Sequence, residues 1–154
     1  MAENQNQDGT PKTKYPYKYS IILPVYNEVE NIPVLMGELQ SVMGTIHQSY
    51  EILAIDDGST DGSYQKLKEI SQGIKELKII RFRKNSGKAA VLSCGFSKVQ
   101  GEIVFTMDAD LQDDPKEITK YIEKLDEGND VVIGWKFPRL DHITKTLPSK
   151  VFNG

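Results

Sequence analysis

The chain of 154 residues is poor in cysteine and histidine and has no long hydrophobic run. Its single cysteine, Cys94, excludes a disulfide within the chain and fits a reducing compartment. Its two histidines, His47 and His142, lack the spacing of paired metal ligands. No apolar stretch approaches the roughly 20 residues of a membrane span, and the amino-terminal residues do not form a signal peptide. These observations predict a soluble piece without a transmembrane segment.

The charge is nearly balanced, with 22 acidic and 19 basic residues and a formal net charge of −3. A weakly negative chain argues against nucleic acid as a partner. Residues 1–16 are polar and poor in apolar side chains, and we interpret them as a disordered leader. Residues 17–154 have the apolar content of one domain with a core of its own.

From Tyr17 onward, short apolar runs alternate with segments of helical periodicity. Most of the runs are continuous rather than alternating, as strands buried on both faces of a parallel sheet are. The pattern predicts an α/β fold with a mostly parallel sheet flanked by helices. The predicted strands are Tyr19–Val25, Glu51–Ile55, Leu77–Phe82, Glu102–Met107 and Asp130–Ile133.

One helix is predicted after each of the first four strands. The second begins near Ser59 and buries Tyr64, Leu67 and Ile70, and the third begins near Ser86. The fourth has Asp114 as its N-cap, followed by a proline, and ends at Gly128. The first shows the i, i+3, i+4, i+7 spacing of an amphipathic helix, with an apolar face of Ile32, Leu35, Met36, Leu39, Val42, Met43 and Ile46.

Two aspartates one residue apart, Asp108 and Asp110, follow the fourth predicted strand. Ligands of open α/β folds bind at the carboxyl edge of the parallel strands, so the pair lies where a ligand site is expected. Two such carboxylates can hold a hard divalent cation whose other ligands are water and substrate phosphates. The alternative is a solvated acidic turn, and for an Asp-x-Asp pair considered by itself this is the more common explanation.

The loops after the other predicted strands also carry residues suited to a nucleotide. After the first strand, the ring of Tyr26 could pack on a base and Glu28 could accept hydrogen bonds from it. Asp57 follows the second strand in a glycine-containing turn, and Lys88 follows the third. Because parallel strands share a direction, these loops and the Asp-x-Asp loop are expected at one edge of the sheet. Independent solvated turns would have no reason to converge in this way.

Several familiar motifs are absent from the sequence. Residues 86–89 resemble the end of a P-loop, but Phe82 stands where its first glycine belongs and Ala89 replaces the hydroxyl residue that binds magnesium. No Gly-x-Gly-x-x-Gly follows the first strand, which argues against a dinucleotide fold of the usual kind. No Gly-x-Ser-x-Gly elbow is present for a serine nucleophile. An acidic signalling receiver would need an acidic pair after the first strand, which residues 24–28 do not supply.

Four motifs in order resemble a known family: residues 19–28 (YSIILPVYNE), 55–61 (IDDGSTD), 85–89 (NSGKA) and 107–115 (MDADLQDDP). Together they resemble the GT-A domain of a family-two glycosyltransferase, over nearly all of the chain after the leader. The last motif and Gly134-Trp135-Lys136 are similar to the polyprenyl-phosphate branch of that family. That branch includes dolichyl-phosphate mannose synthase and bacterial undecaprenyl-phosphate sugar transferases.

The resemblance implies a UDP- or GDP-linked sugar donor and a divalent cation, Mg²⁺ or Mn²⁺. It implies that Asp108, Asp110 and Gln112 hold the cation. It makes Asp110 and Lys136 the catalytic residues, with Lys136 facing the diphosphate or the acceptor phosphate, and leaves Asp56 a structural role. The nucleotide-binding residues that it implies are Pro24, Tyr26, Glu28, Ile55, Asp57, Lys88, Asp108, Ala109 and Asp110.

The resemblance also implies inverting transfer of the sugar to a polyprenyl (dolichyl or undecaprenyl) phosphate at the cytoplasmic face of a membrane. A lipid phosphate needs no general base, and no separate base is evident after the Asp-Ala-Asp loop, which is consistent with such an acceptor. Truncation of the chain could also have removed a base. Because residues 147–152 resemble the first turn of a further helix, we expect a fragment of a longer protein that transfers poorly alone. The alternatives are a family-two transferase with a saccharide acceptor in polysaccharide or cell-wall synthesis, and a non-catalytic nucleotide-binding module. The oligomeric state is not encoded in any recognisable pattern.

Overall fold

The computed structural model describes residues 14–134 as alternating strands and helices. The strands are β1 (Tyr17–Val25), β2 (Tyr50–Asp56), β3 (Leu77–Arg81) and β4 (Gly101–Thr106). The helices are α1 (Asn31–Ile46), α2 (Ser63–Ser71), α3 (Lys88–Lys98) and α4 (Glu117–Asp126). The chain divides into two compact units after Lys120, and the sheet and helices α1 to α3 belong to the first. Within residues 14–134, no helix has the length and hydrophobicity of a membrane-spanning segment.

The strands form one parallel sheet in the order β3-β2-β1-β4. β1 is central and pairs with β2 from Tyr19 opposite Tyr50 to Val25 opposite Asp56. Its other edge pairs with β4. Because every pair is parallel, the carboxyl ends of all strands meet at one edge of the sheet. The predicted α/β fold with a parallel sheet is confirmed.

The core lies around the two central strands, where Ile21, Ile22, Ile52 and Ile55 have no exposed surface. Helix α3 packs closely against them at Gly95, where an added Cβ would lie 2.7 Å from a methyl group of Ile22. The outer strands β3 and β4 are less buried than β1 and β2, as edge strands of a small sheet are. The predicted apolar face of α1 is confirmed from Ile32 to Met43, and Ile46 is half-buried.

The prediction of a strand at Asp130–Ile133 is wrong. In the described structure, residues 131–134 form no strand, and the side chains of Val131 and Ile133 are 75% and 86% exposed. This apolar run is only a few residues long and lies between Gly128 and Gly134. Without a sheet neighbour to bury its side chains and pair its backbone, such a run gains nothing from an extended ladder.

Two helix starts also differ from prediction. Helix α2 begins at Ser63, because the preceding residues form a turn with positive φ at Gly58 and Gly62. Of its predicted apolar face, only Leu67 is fully buried. Helix α4 begins at Glu117, although the predicted N-cap is present: the Lys116 amide donates to Asp114 Oδ1 at 3.0 Å. Its predicted end at Gly128 is borne out by a left-handed backbone there, with φ of 96°.

A buried carboxylate links the amino-terminal ends of the strands. Glu51 is 1% exposed, and its Oε1 accepts hydrogen bonds from Ser20 Oγ and the Gln100 amide, both at 2.6 Å. Its Oε2 accepts a hydrogen bond from Lys78 Nζ at 2.7 Å. Burial raises the pKa of Glu51, but the hydrogen bonds from Lys78, Ser20 and Gln100 outweigh burial and hold this pKa below its ordinary value of 4.5. The ionised form is therefore the one that the fold stabilises.

We expect this carboxylate to make stability fall in acid. A folded-state pKa below the unfolded one contributes stability that is complete above the unfolded value and is lost as pH falls through the folded value. Urea unfolding between pH 7 and pH 3 should therefore show a loss below about pH 4.5 that Glu51→Gln reduces. At pH 7 the substitution should cost about 2 kcal/mol.

The exposed pair Lys18–Glu102 provides the control for Glu51. Its atoms are also close, at 3.0 Å, but the side chain of Glu102 is 51% exposed. Glu102→Gln should therefore change the free energy of unfolding by less than about 1 kcal/mol. Equal acid sensitivity in the wild type and Glu51→Gln would contradict the assignment of the acid transition to Glu51.

Candidate functional site

A cleft of about 310 Å³ opens at the carboxyl edge of the sheet. The chain runs outward from β1 through β2 to β3, and then returns to place β4 on the other side of β1. The loops after β1 and β4 therefore lead away from each other, which leaves a crevice at the point where ligands bind in such sheets. The cleft is lined by Pro24, Val25, Tyr26, Glu28, Asp57, Asn85, Gly87, Lys88, Val91, Asp108, Ala109 and Asp110.

The structure brings together eight of the nine residues predicted to bind the nucleotide. Ile55 is the exception, because its side chain is 0% exposed and packs in the core cluster with Leu53 and Val91. That side chain supports the sheet and does not reach the cleft. Lys136, predicted to be catalytic, lies outside the described residues. Contact of the eight residues with a nucleotide stays a prediction.

The loop after β1 is attached to the loop after β2 by hydrogen bonds. Asn27 has a left-handed backbone, with φ of 56°, which directs both its amide and its side chain at the neighbouring loop. Its amide donates to Ser59 Oγ at 3.0 Å, and its Oδ1 accepts from the Thr60 amide at 3.0 Å. The neighbouring Tyr26 is 47% exposed and lines the cleft. A fixed backbone thus presents an aromatic ring to the cleft and to solvent.

Asp57 fixes the loop between β3 and α3. It is 4% exposed, and its two oxygens accept hydrogen bonds from the Ser86 amide at 2.7 Å and the Gly87 amide at 2.9 Å. Both carboxylate oxygens are thus bonded to backbone amides. Asp57 therefore has a structural role in addition to its predicted contact with the ligand. No local sequence pattern indicates this structural role.

Asp56 belongs to a different environment from its neighbour. It is 0% exposed, and its Oδ1 accepts from the Ser59 amide at 3.3 Å. Its Oδ2 lies 3.5 Å from Arg81 Nε, and the Arg81 guanidinium stacks on the ring of Tyr64 at 4.2 Å. Alternation along a strand directs Asp56 and Asp57 to opposite faces of the sheet. The geometry agrees with the structural role proposed for Asp56.

The Asp108–Gln112 segment is a tight turn that presents its two aspartates to the cleft. The Gln112 amide donates to Asp110 Oδ1 at 3.0 Å, and Leu111 adopts a left-handed backbone with φ of 61°. Ala109, between the aspartates, is 3% exposed. Asp108 Oδ1 forms an ion pair with Lys88 Nζ at 2.5 Å. The turn therefore joins the β4 side of the cleft to the first residue of α3.

The two aspartates fit a divalent cation that also takes ligands from a substrate. Within the described residues, no three His, Cys, Asp or Glu side chains are grouped to hold a metal ion. Asp108 and Asp110 nevertheless line one cleft, and the Gln112 amide occupies only one oxygen of Asp110. A cation held by two carboxylates normally completes its coordination with water and phosphate oxygens. Gln112 is exposed and outside the cleft lining, so its role as a ligand stays a prediction.

Four residues of the lining were not singled out as nucleotide-binding residues: Val25, Asn85, Gly87 and Val91. Asn85 and Gly87 belong to the NSGKA motif, so their position next to Lys88 in a strand-end loop was an available signal. Val91 lies one turn further along α3 and belongs to the core cluster. Val91 lines the cleft only because of how α3 packs on the sheet. No local sequence pattern indicates that packing.

The glycosyl transferase family 2 model matches residues 20–151. The chain belongs to glycosyl transferase family 2. It is 39% identical over 137 residues to the undecaprenyl-phosphate 4-deoxy-4-formamido-L-arabinose transferase of Klebsiella pneumoniae. That match covers 88% of this chain but only 42% of the relative, so the chain spans less than half the relative's length. The predicted resemblance to the family and to its polyprenyl-phosphate branch is confirmed.

Two solved structures share the fold of this family 2 chain. A fragment of TarS from S. aureus, residues 1-349 in complex with UDP, matches with a TM-score of 0.56 and 25% identity, over 71% of this chain and 32% of that fragment. The mannosyltransferase PcManGT from Pyrobaculum calidifontis, in complex with GDP-Man and Mn²⁺, matches with a TM-score of 0.54 and 22% identity, over 64% of this chain and 31% of that one. These likenesses confirm the predicted GT-A-like fold.

Proposed function

We propose that this chain is the donor-binding domain of an inverting glycosyltransferase that moves a sugar from a nucleotide to a polyprenyl phosphate. The observation that carries the proposal is the convergence of all four strand-end loops on one cleft that contains Asp108 and Asp110. The name of the Klebsiella relative, an undecaprenyl-phosphate sugar transferase, supports the acceptor class. The proposal places the complete protein at the cytoplasmic face of a membrane.

The donor site follows from the lining of the cleft. Tyr26 offers a partly exposed ring for stacking on a base, and Glu28, two residues further along the chain, offers a carboxylate in the same cleft. Lys88 offers the positive charge that a diphosphate requires. A volume of about 310 Å³ lies within the range of small-molecule sites. We assign the base to the β1 side of the cleft and the diphosphate to the Lys88 and Asp108 side.

A divalent cation, Mg²⁺ or Mn²⁺, belongs to this proposal. Asp108 and Asp110 would hold it, with Gln112 as a third ligand. When bound, the cation supplies neutralisation of the charge that grows on the diphosphate as the sugar leaves. The Gln112 amide binds only one oxygen of Asp110, so the other oxygen would be available to the cation.

The transfer itself is a direct displacement at the anomeric carbon. The bond from that carbon to the diphosphate oxygen breaks, and its electron pair leaves with the nucleoside diphosphate. An anionic oxygen of the lipid phosphate forms the new bond from the opposite side, which inverts the configuration. Because that oxygen carries no proton at neutral pH, the reaction needs no general base. Lys136 is proposed to face the phosphates.

Calorimetric titration of the chain with UDP, GDP and CMP tests the donor site. Each nucleotide is titrated once with Mn²⁺ and once with EDTA. We expect one nucleoside diphosphate to bind in the presence of Mn²⁺, and its affinity to fall at least roughly tenfold in EDTA, because the proposed cation would offset the negative charge of the diphosphate beside Asp108 and Asp110. Failure of all three nucleotides to bind would contradict the assignment of the cleft as a donor site.

A further inference from the structure

We propose that Lys88 is a resident counterion for Asp108, and that it makes the divalent cation and the nucleotide diphosphate bind cooperatively. The identity of the ligands rests on the proposed function. The role of Lys88 itself rests on the ion pair that the structure describes.

The geometry of the pair places the Lys88 ammonium group beside Asp108, which is one of the proposed metal ligands. Lys88 Nζ lies 2.5 Å from Asp108 Oδ1, and the two side chains are 59% and 28% exposed. The backbone before Lys88 is held in place, because Asp57 accepts hydrogen bonds from the Ser86 and Gly87 amides. Lys88 is the first residue of α3, so this fixed loop determines where its side chain starts. The ammonium group is thereby kept within reach of Asp108.

The charge of the cleft explains why such a counterion matters. Its described lining contains four carboxylates and one basic side chain, that of Lys88. The carboxylates are Glu28, Asp57, Asp108 and Asp110. Asp57 is compensated by two backbone amides, whereas Asp108 is paired with Lys88. Carboxylates on one short turn repel each other unless a cation lies between or beside them, and the Lys88 ammonium group is a cation of that kind beside Asp108.

This arrangement couples the binding of the two ligands. A metal ion that enters alone must displace the Lys88 ammonium from Asp108 and leave it without that anionic partner. A diphosphate that enters with the metal offers the ammonium a new partner, so the displacement costs less. The first ligand therefore improves the affinity for the second, and by linkage the improvement is the same in either order.

Mn²⁺ binding, measured from the electron paramagnetic resonance signal of the free ion, tests the coupling. The wild type, Lys88→Met, Lys88→Arg and Lys98→Met are each titrated with Mn²⁺ alone and with Mn²⁺ plus saturating UDP or GDP. We expect the nucleotide to tighten Mn²⁺ binding by roughly tenfold in the wild type. Lys88→Met should bind Mn²⁺ alone roughly fivefold to tenfold more tightly than the wild type and lose most of the nucleotide effect.

The other variants separate a local effect from a general one. Lys88→Arg keeps a positive charge beside Asp108 and should restore most of the nucleotide effect that Lys88→Met loses. Lys98→Met makes the same change in net charge as Lys88→Met but at the far end of α3, where Lys98 is exposed, and should leave binding unchanged. Circular dichroism establishes that each variant is folded.

The proposal is overturned if Lys88→Met binds Mn²⁺ alone no more tightly than the wild type, or if Lys98→Met gives the same gain. Absence of Mn²⁺ binding in every variant would overturn it as well. Failure of the proposed function gives a different result. In that case, UDP and GDP would not bind to any variant, while Lys88→Met would still bind Mn²⁺ alone more tightly than the wild type.

Discussion

Asp110→Asn is expected to lower metal-dependent nucleotide binding by roughly a hundredfold or more while leaving the fold intact. The substitution removes the negative charge that the cation requires. It keeps an oxygen that can still accept the Gln112 amide, now 3.0 Å from Asp110 Oδ1, so the turn is preserved. Calorimetry with Mn²⁺ and the nucleotide that binds the wild type measures the first effect. Urea unfolding measures the second.

Asp114→Asn is the matched control for this experiment. Asp114 also accepts, through its Oδ1, the amide of the residue two positions later, Lys116, at the same distance of 3.0 Å. It is exposed and lies outside the cleft lining. The control makes the same change in charge within the same kind of turn and should leave nucleotide binding unchanged. Unchanged binding in Asp110→Asn would mean that the metal assignment is wrong.

Gly58→Ala is expected to lower the free energy of unfolding by about 3 kcal/mol and to weaken nucleotide binding. Gly58 has φ of 72°, and an added Cβ would lie 2.6 Å from the carbonyl carbon of Lys84 and 2.8 Å from the Asn85 nitrogen. Those neighbours are backbone atoms, so a side chain cannot rotate away to relieve the overlap. The loop before α3 would have to move, and Lys88 would move with it.

Two other glycines separate backbone strain from crowding. Gly128 also has a positive φ, of 96°, but an added Cβ there has no neighbour within 4 Å, so Gly128→Ala should cost only about 1 kcal/mol. Gly44 is within α1 and also has open space around it. Gly44→Ala should therefore stabilise the protein by about 0.5–1 kcal/mol. Urea unfolding measures these changes. If Gly58→Ala lowers the free energy of unfolding no more than Gly128→Ala does, then the close approach of the loops after β2 and β3 is not the reason for a glycine at position 58.

The strand-end loops could be predicted from sequence because two local signals agree in them. Apolar runs mark the strands, and the polar residues that follow must lie where the strands end. The parallel direction then places Tyr26, Asp57, Lys88 and Asp108 at one edge. The pairing of Lys88 with Asp108 was not predictable in this way. It depends on β4 lying next to β1, which is a property of the strand order and not of any local pattern.

The placement of Ile55 shows a second limit of sequence reasoning. Side-chain alternation assigns Ile55 and Asp57 to the same face of the sheet, which makes both residues reasonable contacts for a ligand. Helix α3 covers that face through Val91, so the side chain of Ile55 is buried beneath it. Asp57 lies just beyond, beside the amides of Ser86 and Gly87. Ile55 and Asp57 are only two residues apart, yet one belongs to the core and the other lines the cleft. The packing of α3 decides which residue belongs to which.

The hydrogen bonds of Asp57 have a consequence for how a phosphate can be held. The amino terminus of a helix is a common anion site, because its first amides have no partner within the helix. At the start of α3, a carboxylate of the protein already occupies the amides of Ser86 and Gly87. The Asp57 carboxylate thus binds backbone amides at a position where a P-loop binds a phosphate group of its ligand. Under the proposed function, these two amides are not open to a donor diphosphate, which would rely more on the Lys88 side chain and a dissociable cation. Its retention should then respond to the supply of metal.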